Sequence, residues 1–301
     1  MSEVTFKMTK VVFKKKKRVM SKEERIVMII MLVLFIMYSL SLIYPMIWMA
    51  MSSLKGSLEY EAGNAFALPQ KWLFKNYLDA FTKLEIKKAG FFKMVWNSIW
   101  MSGLSIFIGA IGSAMICYVM AKLRFPGRTI IYTIIILQMI IPTYGSFPAV
   151  YKMKRDLGLY DNIWNIVVSS IGVGGYRFLI LYAFYKGVSW SYAEAGFMDG
   201  ASQFQVFWHI MFPMVIGPIA TFAMMDFIGA WNDYMWPSII MNSMAKLTVT
   251  PGMEKVKASF NTQPGHAIAG GFIAVIPTFI VYLFAQKYFM KGMQMQGGVK
   301  G

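Results

Sequence analysis

Residues 191–213 of this 301-residue chain read SYAEAGFMDGASQFQVFWHIMFP. This stretch carries Glu194, Asp199 and several serine and glutamine side chains, although the segments on both sides of it are apolar. A polar insert between two hydrophobic segments raises the question of what it does outside the apolar environment.

The insert contains signals for two short helices. Ser191 and Glu194 have the S-x-x-E spacing of a capping box, and Ser202 and Gln205 have the S-x-x-Q spacing of a second one. Between them, Gly200 is a natural helix stop, because glycine adopts the left-handed conformation at low cost. The spacing therefore predicts a helix–turn–helix element centred on Gly200.

The residue types within this element allow two interpretations. After the second cap, apolar side chains follow the spacing of one helical face, at Phe204, Phe207, Trp208 and Met211. Small residues let another surface approach closely, at Ala195, Gly196 and Ala201. From these residues alone, an elbow that packs only on its own flanking segments and a docking surface for another protein remain equally open.

Composition places the chain in a membrane. It is 57% hydrophobic and 15% charged, whereas a soluble domain has about 25% charged residues. The net charge of +16 does not indicate a nucleic-acid partner, because most of the chain is too apolar to form a soluble basic face. We therefore expect a multi-pass membrane protein in contact with the lipid bilayer.

Six stretches are long and apolar enough to cross a bilayer as helices. The predicted spans are 26–50, 97–121, 129–150, 163–186, 212–240 and 267–288. The predicted fold class is all-α with six transmembrane helices. The predicted domains are a basic segment 1–25, a six-span domain 26–290 with a loop at 51–96, and a tail 291–301.

The positive charges predict the orientation. KKKKR at 14–18 lies just before the first span, and such clusters stay on the cytoplasmic side. Both termini and the insert are therefore predicted to be cytoplasmic, and loop 51–96 to lie outside. That loop mixes aromatics and lysines on a predicted amphipathic helix, which we expect to lie on the outer membrane surface.

The insert resembles the EAA signature of the membrane subunits of bacterial ABC importers: E-A-A, three residues, G, nine residues and I-x-L-P. The matching residues here are Glu194-Ala195-Gly196, Gly200 and Ile210-Met211-Phe212-Pro213. Gly196 replaces the second alanine of the pattern, and Phe212 replaces leucine. The resemblance implies that the loop at 189–211 docks in a cleft of a cytoplasmic ATPase. Its implied coupling residues are Glu194, Ala195, Gly196, Asp199, Gly200, Ala201, Phe204, Phe207, Ile210 and Pro213.

Further motifs in the same order resemble the carbohydrate importers with a maltose-type permease. They are Asn97-Ser98, YVMAKLRFPGR at 118–128, IPTYGSFPAVYKMKRDLGLYDNIW at 141–164 and GAWNDYMWP at 229–237. The C-terminal GGVKG resembles a tail that reaches into the ATPase dimer in that subgroup. The implied tail contacts are Gly297, Gly298, Val299, Lys300 and Gly301.

The resemblance implies a type I ABC importer permease fold in the bacterial cytoplasmic membrane and a set of partners. These are a second, homologous permease subunit, two cytoplasmic ATPase subunits and an extracytoplasmic solute-binding protein that delivers an oligosaccharide. ATP and magnesium would be bound by the ATPase, so no cofactor is expected in this chain.

Polar residues inside the predicted spans are candidates for the translocation pathway, because burying charge in a bilayer is costly. They are Asp226, Asn232, Asp233 and Arg177. Trp231 is added as an aromatic that could stack on a sugar ring, although it fits an aromatic belt at the membrane interface at least as well. Asp226 is predicted either to hydrogen-bond sugar hydroxyls or to pair with Arg177. Asp233 fits equally well a capping role near the outer end of the fifth span.

Three other functions remain as alternatives. An ion-coupled secondary transporter would explain the acids within the spans but not the small-residue loop. A membrane enzyme is disfavoured, because no nucleophile–base pair, metal-ligand spacing or nucleotide-binding loop is visible. A permease for a non-sugar solute differs only in the subgroup motifs.

Overall fold

The structure is a computed structural model. It describes residues 21–62, 66–86, 89–141, 145–172, 174–241, 243, 246–260 and 264–297. The chain divides into two compact units, the first ending at Trp48 and the second beginning at Met49, and each is described by itself.

The described residues are almost entirely helical. The helices of the first half are α1 Lys22–Ser52, α2 Ser57–Glu61, α3 Lys75–Lys83, α4 Phe91–Lys122, α5 Arg128–Ile140, α6 Phe147–Asp156 and α7 Trp164–Ser170. Those of the second half are α8 Gly175–Gly187, α9 Ser191–Met198, α10 Gln203–Val206, α11 Phe212–Met214, α12 Ile216–Asn232, α13 Met235–Ile240, α14 Val249–Phe260 and α15 Pro264–Gly297. A π-helical turn occupies Phe207–Met211. The short strands β1 Glu85–Ile86 and β2 Ala89–Gly90 pair antiparallel.

The first unit consists of most of α1, whose start has a capping box that the sequence analysis missed. Ser21 Oγ accepts the Glu24 N–H at 3.1 Å, and the Glu24 carboxylate accepts the Ser21 N–H at 3.1 Å. Glu23 joins Glu24 in the first turn, where carboxylates interact favourably with the helix dipole. The helix therefore begins at Lys22, before the predicted start of the span at residue 26.

The second unit is built around α12, which packs against both α4 and α15, while α4 also packs against α7 and α8. Two apolar clusters lie at opposite ends of α12. The loop-end cluster comprises Ala114, Cys117, Tyr118, Met120, Phe178, Leu181, Tyr185, Ala193, Val206, Phe207, Met211, Val215, Ile219 and Phe222. The far-end cluster comprises Ala80, Leu84, Phe91, Met94, Trp231, Leu247, Val249, Val256, Ala267 and Ala269.

The predicted third and fourth spans are not continuous helices. Helix α5 ends at Ile140, because Ile141 precedes a proline and adopts an extended conformation. The fourth is divided into α7 and α8 at a glycine-rich segment, where Gly175 has a φ of 67°. At both places a proline or glycine interrupts the helix, although the apolar segment is long enough to continue it.

The predicted fifth span is also broken. The helical segments before and after Val215 are bent by 77°, and a further break at Asp233 separates α12 from α13. The bend places Pro218 in the first turn of α12, where a missing N–H costs no intrahelical hydrogen bond. The α12 helix therefore starts only after the bend, at Ile216.

The amphipathic helix predicted in the long loop at 51–96 forms as α3, which packs against α15 and α4. Asn76 is buried and donates from Nδ2 to the carbonyls of Ser53 and Lys55 at 2.8 and 2.9 Å. These buried hydrogen bonds hold the polar face of α3 against another part of the protein. The polar side of the amphipathic pattern therefore includes a protein contact.

Three helices in the described part of the chain are long and apolar enough to span a membrane, or up to five if each bent pair forms one span. The shorter apolar helix α5 corresponds to the remaining predicted span. Helix α15 continues as far as Gly297, so it passes the predicted boundary between span and tail at residue 291. Residues 298–301 of the predicted tail lie outside the described residues.

Candidate functional site

The insert folds as an elbow of two short helices whose turn depends on glycine. Gly200 has a φ of 83°, and the N–H groups of Gly200 and Ala201 donate to the carbonyls of Phe197 and Gly196 at 3.0 and 2.9 Å. This pair of bonds is a Schellman motif, which ends α9 after Asp199. The left-handed position disfavours any residue with a Cβ, so the turn is fixed by one residue type.

The two predicted capping boxes have different outcomes. The box of Ser202 and Gln205 forms, with Ser202 Oγ accepting the Gln205 N–H at 3.3 Å and the Gln205 side chain accepting the Ser202 N–H at 2.8 Å. The predicted box of Ser191 and Glu194 is wrong. Ser191 lies inside α9, whose first residues instead use Ser189, which accepts the Ser191 N–H at 3.3 Å. The exposed Glu194 carboxylate therefore lies in the first turn of α9 without capping it.

Gly196 is the contact point between the two helices of the elbow, which corrects the prediction that it admits an external surface. It is buried, and a Cβ added to it would lie 2.6 Å from Ile210 Cδ1 and 3.2 Å from Val206 Cγ2. The smaller residue at this position therefore brings the second helix closer to α9. Ala195, one residue earlier, is exposed.

The second helix of the elbow joins α4 through aromatic contacts. Phe207 is 4% exposed, and its ring centroid lies 5.2 Å from that of Tyr118 on α4. The π-turn changes the helical register, so Val206, Phe207 and Met211 are buried while Phe204 stays exposed. The predicted apolar face is thus only partly buried on the protein.

The opposite side of the elbow is open. Met198 is 88% exposed and Phe204 is 62% exposed. Polar and small neighbours share this exposure, at Glu194, Ala195, Asp199, Gly200 and Pro213. The elbow therefore combines a face that packs tightly on α4 and α12 with a mixed surface that is available for docking.

Towards the middle of α12, the structure brings Asp226 and Arg177 together as a salt bridge. Their side chains are 23% and 22% exposed, and both line a cavity of about 880 Å³. A Cβ on Gly109 of α4 would lie 3.6 Å from Arg177 Nη1, so a glycine lets α4 approach the pair closely. Of the two roles predicted for Asp226, the structure shows the ion pair at a cavity wall.

A second cavity of about 740 Å³ adjoins the first near the other end of α12. Lys154 lines it, donates to Ser169 Oγ at 2.9 Å and lies 4.5 Å from the ring centroid of Trp236. Burial lowers the pKa of Lys154, and nearby Asp233 opposes that shift. Asp233 lines the same cavity and accepts the Trp236 N–H at 3.3 Å, so it serves as both a cap and a lining group.

The two cavities share lining residues and therefore adjoin along α12, and we call them together the polar space after the charged and hydroxyl groups in their walls. The residues common to both are Ser105, Ser169, Ser170 and Ala230. Ser105 and Ser170 also approach each other, with their hydroxyl oxygens 2.8 Å apart. Hydroxyl, carboxylate, ammonium and guanidinium groups in such a space provide hydrogen bonds to a polyhydroxylated solute.

Two candidate pathway residues do not line this space. Trp231 is 2% exposed, donates from Nε1 to the Ala274 carbonyl at 2.8 Å and stacks on Phe227. Its ring therefore joins α12 to α15 and is unable to stack on a solute. Asn232 donates from Nδ2 to the Ile228 carbonyl at 2.8 Å and caps its own helix instead.

Several lining residues lie outside the predicted candidates. Lys154 follows the predicted third span, and its long side chain reaches the cavity. The adjacent Ser169 and Ser170, polar residues inside an apolar run, were the signal that could have identified the wall. Of the predicted tail contacts, Gly297 is the last residue of α15 and the other four lie outside the described residues.

These features define a class of protein: an integral-membrane subunit with a polar space between broken helices and an exposed elbow at one end of the central helix. The pattern of one protein family, described as "Binding-protein-dependent transport system inner membrane component", matches residues 105–294. The chain belongs to this family. It is a permease subunit of a binding-protein-dependent transport system and not an enzyme.

Two curated relatives illustrate the range of the similarity. A diacetylchitobiose uptake system permease protein of Streptomyces coelicolor is 27% identical over 257 residues, which cover 84% of this chain and 83% of that protein. An arabinooligosaccharides transport system permease protein of Bacillus subtilis is 28% identical over 273 residues, which cover 89% and 94%.

A solved structure supports the fold. One chain of a bacterial ABC transporter involved in the import of the acidic polysaccharide alginate has a TM-score of 0.78 and 26% identity. The match covers 91% of this chain and all of that one. The predicted all-α importer permease fold is thereby confirmed.

Proposed function

We propose that this chain forms half of the translocation pathway of an ATP-driven oligosaccharide importer. The observation that carries the proposal is the exposed elbow joined by α12 to a polar space. The relatives' sugar substrates support the solute class, and the serines, Asn165 and the charged groups of the lining suit a solute rich in hydroxyls.

The proposal includes the assembly. A second, homologous permease completes the pathway, two ATPase subunits bind ATP and magnesium, and an extracytoplasmic binding protein delivers the solute. The chain crosses the bacterial cytoplasmic membrane with both termini and the elbow in the cytoplasm, and α5 and the bent pairs complete six spans. Residues 297–301 extend towards the ATPase dimer.

In the mechanism, the ATPase moves the elbow. The exposed side, including Glu194, Ala195, Asp199 and Met198, contacts the ATPase cleft. Closure of the cleft shifts the elbow, and the packing of Phe207 and Met211 passes the shift to α4 and α12. The polar space then opens outward, and opening of the ATPase returns it to the inward state.

Retention of the ATPase tests the assembly. The chain, tagged and co-expressed with its permease and ATPase partners, is purified in mild detergent. We expect Met198→Glu to lose most of the ATPase, because it puts a charge into the docking surface. Met153→Glu, at a similarly exposed methionine of α6, should retain it. Equal retention by both variants would contradict the docking assignment, and no ATPase with the unaltered chain would contradict the proposed assembly.

The solute class has its own test. Calorimetry with the partner binding protein across a panel of oligosaccharides and peptides should give heats of binding for oligosaccharides. Binding of peptides alone would identify a permease for a non-sugar solute while leaving the assembly intact.

A further inference from the structure

A groove at the elbow side of the second unit has no part in the function described so far. It lies between the end of α4 and the start of α5, and its volume is about 1000 Å³. Its lining consists of Ala121, Lys122, Leu123, Arg124, Arg128 and Trp190. We call it the basic groove, because half of its lining side chains carry a positive charge and none carries a negative one.

Two of the three cations are held in place by the fold. The Lys122 ammonium donates to the Val188 carbonyl. One nitrogen of the Arg128 guanidinium lies 3.4 Å from both the Ala121 carbonyl and the Tyr182 hydroxyl. An ammonium has three donors and a guanidinium five, so both groups keep donors for a ligand.

The third cation has no such attachment. Arg124 is exposed, and the part of the chain that the structure describes gives its side chain no acceptor. The first turn of α5, which follows Gly127 with a φ of 83°, adds amide N–H groups and the positive end of the helix dipole. Anchored donors beside an adaptable guanidinium form a site suited to a phosphate group, which accepts several charge-assisted hydrogen bonds.

The surroundings indicate where the phosphate comes from. Helix α5 leads away from the groove with one exposed apolar side formed by Ile130, Ile134 and Leu137. Trp190 adds an aromatic ring to the wall, and such rings favour the membrane interface. Basic pockets between membrane helices on the cytoplasmic side bind anionic headgroups.

We propose that the basic groove binds a phosphate-bearing anion, and that its source is the headgroup of an anionic lipid whose acyl chains lie along α5. Lys122 contacts the backbone just before α9, and Trp190 is the residue that precedes it. A bound lipid therefore stabilises the base of the elbow, and the lipid composition of the membrane affects how firmly the elbow is held.

Native mass spectrometry of the purified importer measures this binding without requiring transport. Phosphatidylglycerol and phosphatidylcholine are added in turn to the unaltered complex, to Arg124→Gln/Arg128→Gln and to the charge-matched control Lys152→Gln/Arg155→Gln, which changes two exposed cations of α6. We expect phosphatidylglycerol to be retained in preference to phosphatidylcholine, and the groove variant to weaken that retention roughly tenfold or more, since each cation near an anionic headgroup contributes about a factor of five. The control should behave as the unaltered complex does.

A second arm separates the two sources of phosphate. If millimolar inorganic phosphate displaces phosphatidylglycerol from the unaltered complex, the groove takes the free anion as well. If it does not, the acyl chains contribute and the lipid is the ligand. Equal retention of phosphatidylglycerol by the groove variant and the unaltered complex overturns the proposal. Should the double variant fail to assemble, Arg124→Gln alone decides the question, because its exposed side chain supports no contact within the described fold.

Discussion

The two ends of α12 differ in the side chains that surround them. At the elbow end, Val215 and Ile219 are buried among aromatic and aliphatic side chains of the loop-end cluster. Eleven residues beyond Val215 lies Asp226 in its ion pair, and Asp233 follows at the end of the helix, both at the wall of a polar space. The elbow end of the helix is packed among apolar side chains, whereas at the other end one side faces the polar space and Trp231 is buried in the far-end cluster.

This difference indicates how a single helix can connect movement of the elbow to rearrangement of the polar space. A closely packed interior resists compression, so a displacement of the elbow moves the start of α12 as a body. A polar space tolerates rearrangement, because its groups can exchange protein partners for solute or water. We therefore expect substitutions at the elbow end to affect coupling and packing, and substitutions of residues that face the polar space to affect the solute.

The largest effect on stability should come from breaking the ion pair. Asp226→Asn leaves the Arg177 guanidinium without a counter-charge in a low-dielectric region, which costs about 2 kcal/mol for a pair that is still partly exposed. Thermal unfolding of the assembled complex in detergent measures this loss, and uptake into proteoliposomes should fall with it. The double variant Arg177→Gln/Asp226→Asn should recover much of the stability, because no charge then stays unpaired. Equal stability of Asp226→Asn and the unaltered complex would show that the pair contributes nothing.

A nearly equal effect is expected from filling the elbow contact. Gly196→Val places methyl groups where Ile210 and Val206 already lie, and overpacking of this kind costs about 1–3 kcal/mol. Gly196→Ala restores the residue of the family pattern and favours the helix by up to about 1 kcal/mol, but it still requires Ile210 Cδ1 to move. Gly196→Ala/Ile210→Val, which removes that atom, should be more stable to heat than Gly196→Ala. If Gly196→Ala were the more stable of the two variants, the two elbow helices would lie farther apart than in the structure.

A smaller effect is expected from the cap of the second elbow helix. Ser202→Ala removes the acceptor for the Gln205 N–H and should cost about 1 kcal/mol of local stability. Amide hydrogen exchange over residues 203–211 should become faster. The matched change Ser191→Ala should leave exchange in α9 almost unchanged, since Ser191 does not cap that helix. Faster exchange after Ser191→Ala would reinstate the first predicted capping box.

The smallest effect lies at the far end, at Asp79 of α3. A hydrogen bond from Lys83 lowers the pKa of Asp79, and His266 lies 3.3 Å from the same carboxylate oxygen. A lowered folded-state pKa gives stability that is present above the unfolded value of about 3.9 and is lost as the pH falls through the folded value. Thermal unfolding should therefore become easier only below about pH 4, and Asp79→Asn should flatten this acid limb relative to Asp156→Asn. An unchanged acid limb in Asp79→Asn would exclude this contact as its source.

Much of the elbow could be predicted from the sequence, because capping and chain reversal depend on neighbouring residues. Gly200 and the Ser202 box are local signals of this kind, and the structure has both. The Ser191 box failed because Ser189, two residues earlier, supplies a competing hydroxyl. The burial of Gly196 could not be predicted, since it depends on how closely the second helix approaches.

The polar space was harder to predict, because it is assembled from distant parts of the chain. Arg177 and Asp226 are 49 positions apart, and periodicity does not reveal which span faces which. Hydropathy also misjudged the helix lengths, since it measures apolar content and does not register the extended residue before Pro142. Trp231 was misassigned for a related reason: an aromatic near charged residues suits a sugar site or a helix contact, and only the packing of α15 decides.

If the elbow couples ATP hydrolysis to the polar space, a bulky residue at Gly200 should break that coupling. Gly158 also has a positive φ and open space around its Cβ position, but it lies outside the elbow. Gly200→Trp and Gly158→Trp therefore carry the same backbone strain, and only the first adds bulk to the proposed docking surface. The measurement is the number of ATP molecules hydrolysed per solute taken up by the reconstituted importer. We predict that Gly200→Trp inserts into the membrane normally but hydrolyses ATP with little uptake, whereas Gly158→Trp keeps the ratio of the unaltered importer. Normal coupling in Gly200→Trp would contradict the account.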